Sequence, residues 1–206
     1  MRANGPLHRV AASASLYDAV QLLAGVRVVH RHVVRCLASL PSRQTPTVLD
    51  VGSGTGLARA WWPADATYIG IDTDPAKLER LRRRVPTGAA VRADGTSLPI
   101  RDGTADFALC IAVGHHMRDA GLGLTLGECA RALKPDGHLV LLEPLASSRW
   151  LPNRALWWVD RGSHPRTAEQ LLALVRSEFD IVAEERFSVL HDYLLLVGVP
   201  LAHRAR

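Results

Sequence analysis

Residues 48–56, Val-Leu-Asp-Val-Gly-Ser-Gly-Thr-Gly, give the strongest structural signal in this chain. A short apolar stretch reads as a buried strand, and a glycine-rich turn follows it at once. Gly52 lets the chain turn tightly, Gly54 lets the backbone approach a ligand closely, and Gly56 allows close packing between helix and strand. The stretch therefore predicts a ligand-binding turn at the carboxyl end of a strand.

Predicted strands and helices alternate along the chain around this turn. We predict strands at residues 47–51, 67–71, 89–93, 106–113, 138–143, 181–187 and 193–199, a turn at 134–137, and helices at 16–40, from 55 to before Pro63, at 75–85, 119–133 and 167–177. Such alternation is typical of a parallel sheet covered on both faces. We therefore expect a Rossmann-like, doubly wound α/β fold whose seven-stranded sheet has an antiparallel terminal strand pair at one edge.

Acidic residues lie at or near the ends of the first three predicted strands. Asp50 is near the end of the first strand, Asp72 ends the second, and Asp94 follows the third. Open α/β sheets bind ligands in the crevice outside the carboxyl ends of their strands. A carboxylate at Asp72 could accept hydrogen bonds from both hydroxyls of a ribose, and one at Asp94 from an exocyclic amine. These acids indicate a nucleoside-type ligand.

Four segments resemble motifs of the class I methyltransferases that depend on S-adenosylmethionine (SAM). They are VLDVGSGTG at 48–56, IGIDTDP at 69–75, RADGTSLPIRDGTADFALC at 92–110 and RALKPDGHLVLLEP at 131–144. The resemblance is to the small-molecule methyltransferases related to the ubiquinone and menaquinone biosynthesis enzymes. It covers residues 46–145. One departure is Asp136, where the family usually has a second glycine, in a turn remote from the cofactor.

The resemblance implies a role for each matching position. Asp50 would hold the methionine end of SAM through water, Asp72 the ribose, and Asp94 the adenine amine. The other implied cofactor-binding residues are Gly52, Gly54, Gly56, Thr73, Gly95 and Ile111. The product would be S-adenosylhomocysteine (SAH). The competing nicotinamide-dinucleotide fingerprint is GxGxxG, whereas this chain has GxGxG spacing.

The methyl acceptor would lie, by the same resemblance, under the N-terminal helix and the segment after the fifth strand. His116 and His115 follow the fourth strand and are the candidate catalytic bases, because an imidazole titrates near neutral pH. Tyr17, Trp157 and Arg166 are the candidate acceptor-binding residues. The alternative for each of these residues is a structural role.

Composition narrows the class of protein further. The 206 residues are expected to form one domain, with an N-terminal helical cap at 1–45, a cofactor-binding core at 46–145, and an acceptor-side segment with the terminal strand pair at 146–206. The three cysteines form no CxxC pair, and no long apolar run or leader pattern occurs, which favours a cytoplasmic protein without a membrane span. No metal-ligand spacing is present, so we expect no metal.

Three functions remain open at the level of the sequence. The first is methyl transfer from SAM to a small or lipid-like organic acceptor, with an oxygen or carbon nucleophile favoured. The second is a regulatory or accessory protein that binds SAM without turnover. The third is RNA methylation, suggested only by the net charge of +5 and the pI near 9.6. Scattered arginines without interleaved aromatics argue against nucleic acid as a partner, and a homodimer stays open.

Overall fold

The computed structural model describes residues 26–146, 164–189 and 192–202 of the chain. It divides into two compact units, Met1–Ser42 and Arg43–Arg206. The first unit contains helix α1 (Val26–Ala38). The predicted helix over 16–40 is helical from residue 26, and residues 16–25 lie outside the described part. The single-domain organisation stays a prediction.

The second unit is built on one seven-stranded sheet with the strand order β3-β2-β1-β4-β5-β7-β6. Its elements are β1 (Thr47–Val51), β2 (Thr67–Asp72), α2 (Pro75–Arg84), β3 (Ala89–Arg92), β4 (Ala105–Ile111), α3 (Asp119–Ala132), β5 (Leu133–Pro144), α4 (Ala168–Arg176), β6 (Phe179–Ser188) and β7 (Asp192–Pro200). Strands β1 to β5 pair in parallel, and β7 runs antiparallel to both β5 and β6. This topology confirms the predicted fold class.

Helices cover both faces of the sheet, as the doubly wound prediction requires. Ile71 on β2 belongs to the core that includes Leu122 of α3 and Leu171 of α4. On the opposite face a side chain at Gly70 would meet Leu81 of α2. Successive strand residues point to opposite faces, so one strand serves both layers. The core strands β1 and β4 are therefore almost wholly buried.

Two helices begin at the side-chain caps that their sequences suggest. The Asp74 carboxylate accepts the backbone N–H groups of Ala76 and Lys77 at the start of α2, where Pro75 occupies the first turn. Thr167 and Gln170 form the predicted capping box at the start of α4. These local bonds satisfy backbone donors that have no partner inside the helix.

Two local predictions were wrong. The helix after the glycine turn is a short 3₁₀ helix over Leu57–Trp61, beginning after Gly56, which has φ +76°. The predicted turn at 134–137 lies within β5: the register passes from Ala105 opposite Leu133 to Phe107 opposite His138. Two steps along β4 therefore match five along β5, and the extra residues bulge from the ladder.

Candidate functional site

The glycine turn after β1 is joined to the end of β2 by backbone hydrogen bonds. The N–H groups of Gly52 and Ser53 both donate to the Ile71 carbonyl, at 2.8 and 2.9 Å. The Gly54 N–H donates to Asp72 Oδ2 at 3.0 Å. The turn therefore lies against the strand end that carries the predicted ribose acid.

The surroundings of the glycines differ in a way that suits a bound ligand. A Cβ at Gly52 would lie 2.3 Å from Val113 Cγ2, so this position is filled from inside the protein. A Cβ at Gly54 would meet nothing within 4 Å. Gly54 has φ +55°, which L side chains rarely adopt, and its backbone borders open space. We call this open space beside the Gly54 backbone the cradle. It fits a ligand lying against the backbone.

Asp72 is a strand-end carboxylate held in place by backbone donors. Its Oδ1 accepts the Asp74 N–H at 2.8 Å, in addition to the Gly54 bond on Oδ2, and Lys77 Nζ lies 4.0 Å from Oδ2. The carboxylate is thus fixed at the end of β2. Its location suits the predicted contact with a ribose, which stays a prediction.

Asp50 lies deeper than the other acids. Burial raises the pKa of its carboxyl to about 7, although the hydrogen bond from the Tyr68 hydroxyl lowers it, and the nearby charge of Asp72 adds to the rise. Burial also raises the pKa of Tyr68, so its hydroxyl stays protonated and donates the hydrogen bond to Asp50. Near neutral pH, Asp50 is therefore poised between its neutral and charged forms. Its water-mediated contact with a cofactor stays a prediction.

The end of β3 contributes an exposed acid and a buried glycine. The Asp94 Oδ1 accepts both the backbone N–H and the hydroxyl of Thr96 at 2.9 Å, and these bonds lower the pKa of Asp94. Asp94 is therefore an ionised acceptor at neutral pH. A Cβ at Gly95 would lie 3.1 Å from atoms of Val51 and Thr125, so the backbone packs closely there. Thr73 is exposed at the end of β2.

The end of β4 turns through an unusual backbone conformation that the sequence did not predict. After Ile111, Ala112 has φ +52°, and it is the one non-glycine residue with positive φ in the described ranges. Its N–H donates to the Leu142 carbonyl of β5 at 2.7 Å. Backbone of this kind is uncommon outside glycine and often marks functional sites.

Glu143, near the end of β5, is the site residue that sequence reasoning missed. Its buried carboxylate accepts the backbone N–H groups of Val113 at 2.9 Å, of Gly114, and of His115 at 3.2 Å. It also lies 2.8 Å from His115 Nδ1. An acidic residue ending the apolar run 139–142 was the available signal, because a buried charge needs such partners. Glu143 holds the turn after β4.

The two histidines of that turn have different environments. His115 is buried beside Glu143, whereas His116 is exposed. The two rings lie 4.1 Å apart between centroids. The structure thus brings the two predicted bases together, and it anchors the His115 imidazole on a carboxylate. A catalytic role for either stays a prediction.

Arg166 approaches the same turn from its carbonyl side. Its guanidinium donates to the carbonyls of Gly114 at 2.9 Å, Met117 at 2.6 Å and His164 at 3.3 Å, and its Nε donates to Asp119 Oδ1 at 2.8 Å. Arg166 is buried, and these acceptors indicate a structural role. Binding of the methyl acceptor by Arg166 stays a prediction. The other two predicted acceptor residues, Tyr17 and Trp157, lie outside the described residues.

Over residues 26–146, 164–189 and 192–202, no three histidine, cysteine or acidic residues cluster so that they could hold a metal ion. In that same part of the chain no helix is both long and apolar enough to cross a membrane.

The geometry agrees with comparisons against known proteins. Residues 49–141 match the model of a family described as a methyltransferase domain. The chain has the class I methyltransferase fold. The sheet order and the antiparallel β7 complete that class of fold beyond the matched residues.

The chain is similar in sequence to a known relative and in fold to a solved structure. An uncharacterized methyltransferase of Mycolicibacterium gilvum is 38% identical over 104 residues, which are 48% of this chain and 40% of that protein. The chain thus spans about two fifths of the length of this relative. The structure of a SAM-dependent methyltransferase from Methanosarcina mazei matches with a TM-score of 0.68 and 16% identity over 78% of this chain and 95% of that one.

The domain fold also occurs in a protein described by another reaction. The structure of SpnF, a (4+2)-cyclase, matches with a TM-score of 0.62 and 19% identity over 76% of this chain and 75% of that one. Identities this low establish a shared fold and leave the chemistry to the site residues.

Proposed function

We propose that this protein is a SAM-dependent methyltransferase that acts on a small or lipid-like organic acceptor through an oxygen or carbon nucleophile. The observation that carries the proposal is the glycine turn joined to Asp72, with open space beside the Gly54 backbone. Bound SAM supplies an electrophilic methyl group on a sulfonium sulfur. Its adenosine would lie along the ends of β1 to β3, as the motif positions imply.

The chain's own residues would bind and orient both reactants. Asp72 would accept hydrogen bonds from the ribose hydroxyls, and ionised Asp94 would accept one from the adenine amine, with Gly95 offering its backbone amide. The backbone at Ile111 and the Asp50 carboxylate would face the methionine end. Methyl transfer then depends chiefly on proximity and alignment, with a base where the nucleophile must lose a proton.

Turnover on a defined set of acceptors tests this function. The purified protein is incubated with SAM carrying an isotopically labelled methyl group and a panel of phenols, hydroquinones, sugars and carbon acids, and mass spectrometry follows SAH and labelled product. We expect SAH to form in proportion to one acceptor class. Equal SAH formation with and without every acceptor would contradict the proposal.

A second candidate is a SAM-binding protein that transfers no methyl group. The likeness to the cyclase SpnF favours keeping it, because that fold neighbour is described by a reaction other than methyl transfer. SAM binding that depends on Asp72, combined with no SAH from any acceptor, would support this candidate over the first. The methyltransferase proposal also includes a cytoplasmic location and a small-molecule partner.

A further inference from the structure

The loop that joins β3 to β4, residues 93–104, contains no helix or strand of its own. Asp94 and Gly95, the predicted contacts for the adenine, lie near its start. Loops of about twelve residues without secondary structure are uncommon in compact domains, and those that occur are often functional. The contacts that give this loop a fixed shape therefore determine where its two predicted cofactor residues lie.

Side chains of helix α3 hold the middle of the β3–β4 loop. Glu128 Oε2 accepts the backbone N–H of Leu98 at 2.7 Å. The Arg131 guanidinium donates to the carbonyls of Leu98 at 3.1 Å and Ile100 at 2.7 Å. It also donates twice to the Glu128 carboxylate and once to Asp102. Glu128 and Arg131 thus form one charge-paired unit on the loop, which we call the clamp.

The same helix contacts both ends of the loop. Near the start, a Cβ at Gly95 would lie 3.1 Å from side-chain atoms of Thr125, which is fully buried. Thr125 lies three residues before Glu128, on the same side of α3. Near the other end, the N–H groups of Gly103 and Thr104 donate to backbone carbonyls at the end of α3, at 3.0 and 2.8 Å. The loop is therefore held along its length by α3.

A short backbone turn connects the clamp to Asp94. The Ser97 N–H donates to the Asp94 carbonyl at 3.1 Å, and Leu98, which the clamp holds, is the next residue. The Asp94 carboxylate is itself bound to Thr96. Because a chain has only two soft dihedrals per residue, holding Leu98 at both its N–H and its carbonyl restricts where the Asp94 carboxylate can lie.

We propose that Glu128 and Arg131 are positioning residues for adenine recognition, which fix the β3–β4 loop so that Asp94 and Gly95 meet the adenine ring. This inference rests on the proposed function and deepens it. In this role neither side chain of the clamp touches the cofactor, and both act through the loop. Contacts that are in place before a ligand arrives cost less to form on binding. The clamp therefore contributes to selectivity for adenine over bases that lack its amine.

Hydrogen exchange tests the hold on the loop without any ligand. Arg131→Met keeps much of the apolar stem but removes the guanidinium donor, so we expect amide exchange over residues 94–102 to become at least about tenfold faster. The matched control is Arg83→Met, which removes an exposed arginine paired with Glu79 within α2 and should leave the loop unchanged. Unchanged loop exchange in folded Arg131→Met would overturn the proposal.

Calorimetric titration with SAH and with its inosine analogue tests the recognition of adenine. The analogue presents a carbonyl oxygen where adenine has its amine, so ionised Asp94 would face an acceptor, and we expect the wild type to prefer SAH at least about tenfold. In Arg131→Met and Glu128→Ala, SAH should bind about fivefold more weakly while the analogue changes less. Arg83→Met should keep the wild-type preference.

The ratio of the two affinities separates positioning from a merely structural role, because a loss of folded protein would weaken both ligands alike. Both clamp side chains are partly exposed, so we expect the variants to fold. An undiminished preference for SAH in both folded variants, or equal binding of the two ligands by the wild type, would overturn this inference alone. Wild-type protein that binds neither ligand would instead overturn the proposed function, and this inference with it.

Discussion

The two halves of the site are assembled over very different distances along the chain. In the cofactor half, Asp94 binds Thr96 two residues away, and Asp72 binds Asp74 and Gly54, two and eighteen residues away. In the predicted acceptor half, Glu143 binds residues 28 to 30 positions earlier, and Arg166 binds residues about 50 positions earlier. Short sequence motifs therefore determine these contacts of the first half. The second half depends on contacts between residues that are far apart in the sequence.

Among the variants that test this comparison, Arg166→Met should have the largest effect on the free energy of unfolding. The change keeps much of the apolar stem but leaves the carbonyls of Met117 and His164 without the Arg166 donor, while the Gly114 carbonyl keeps only the Met117 N–H. Unpaired buried polar groups cost about 1–3 kcal/mol each, so we expect a loss of about 3–5 kcal/mol of unfolding free energy in urea titration. The exposed Arg176→Met is the control and should change stability little. A variant as stable as the control would point to an acceptor-binding role instead.

In the cofactor half, Asp50→Asn should raise the free energy of unfolding above neutral pH, whereas Arg166→Met lowers it. The folded pKa of Asp50 is raised to about 7 from 3.8, chiefly by burial. The folded carboxyl thus holds its proton to higher pH than the unfolded one, and its stabilising contribution is full below about pH 4 and lost as pH rises to 7.

The asparagine does not titrate, and its amide oxygen can still accept the Tyr68 hydroxyl. We expect the variant to match the wild type near pH 4 and to exceed it by about 2–4 kcal/mol at pH 8. Urea titrations across this range measure the gap. Parallel stability curves from pH 4 to 8 would refute the raised pKa.

The smallest effect separates two glycines of one turn. Gly52→Ala combines a positive φ with a clash against Val113, whereas Gly54→Ala meets open space. We expect losses of about 2–3 kcal/mol for the first and about 1 kcal/mol for the second. SAM affinity should fall in Gly54→Ala even so, because its methyl group enters the proposed cradle. Equal losses of stability would contradict the packing of Val113 on Gly52.

The sequence predicted what local patterns determine. Hydrophobic periodicity and the turn residues between strands predicted all seven strands and the antiparallel last pair. Thr167 with Gln170 predicted the start of α4. The glycine spacing located the turn that Asp72 holds. In these cases the residues that decide the structure are close in sequence, so their pattern is visible without the fold.

The remainder depends on contacts that no local pattern encodes. The bulge in β5 follows from its register with β4, and the positive φ of Ala112 from the carbonyl of Leu142 on a neighbouring strand. Arg166 was predicted to bind the acceptor, with a structural role as the alternative, because its internal partners lie far away in sequence. Glu143 was passed over for the same reason.

Calorimetric titration with SAM and SAH tests the central claim most directly. The wild type is compared with Asp72→Ala and with the exposed control Asp65→Ala. Charge-assisted hydrogen bonds contribute about 1.5–3 kcal/mol each, so loss of Asp72 should weaken binding at least about tenfold, while the control binds as the wild type does. No binding of either ligand by folded wild-type protein, or equal binding by Asp72→Ala, would contradict the account.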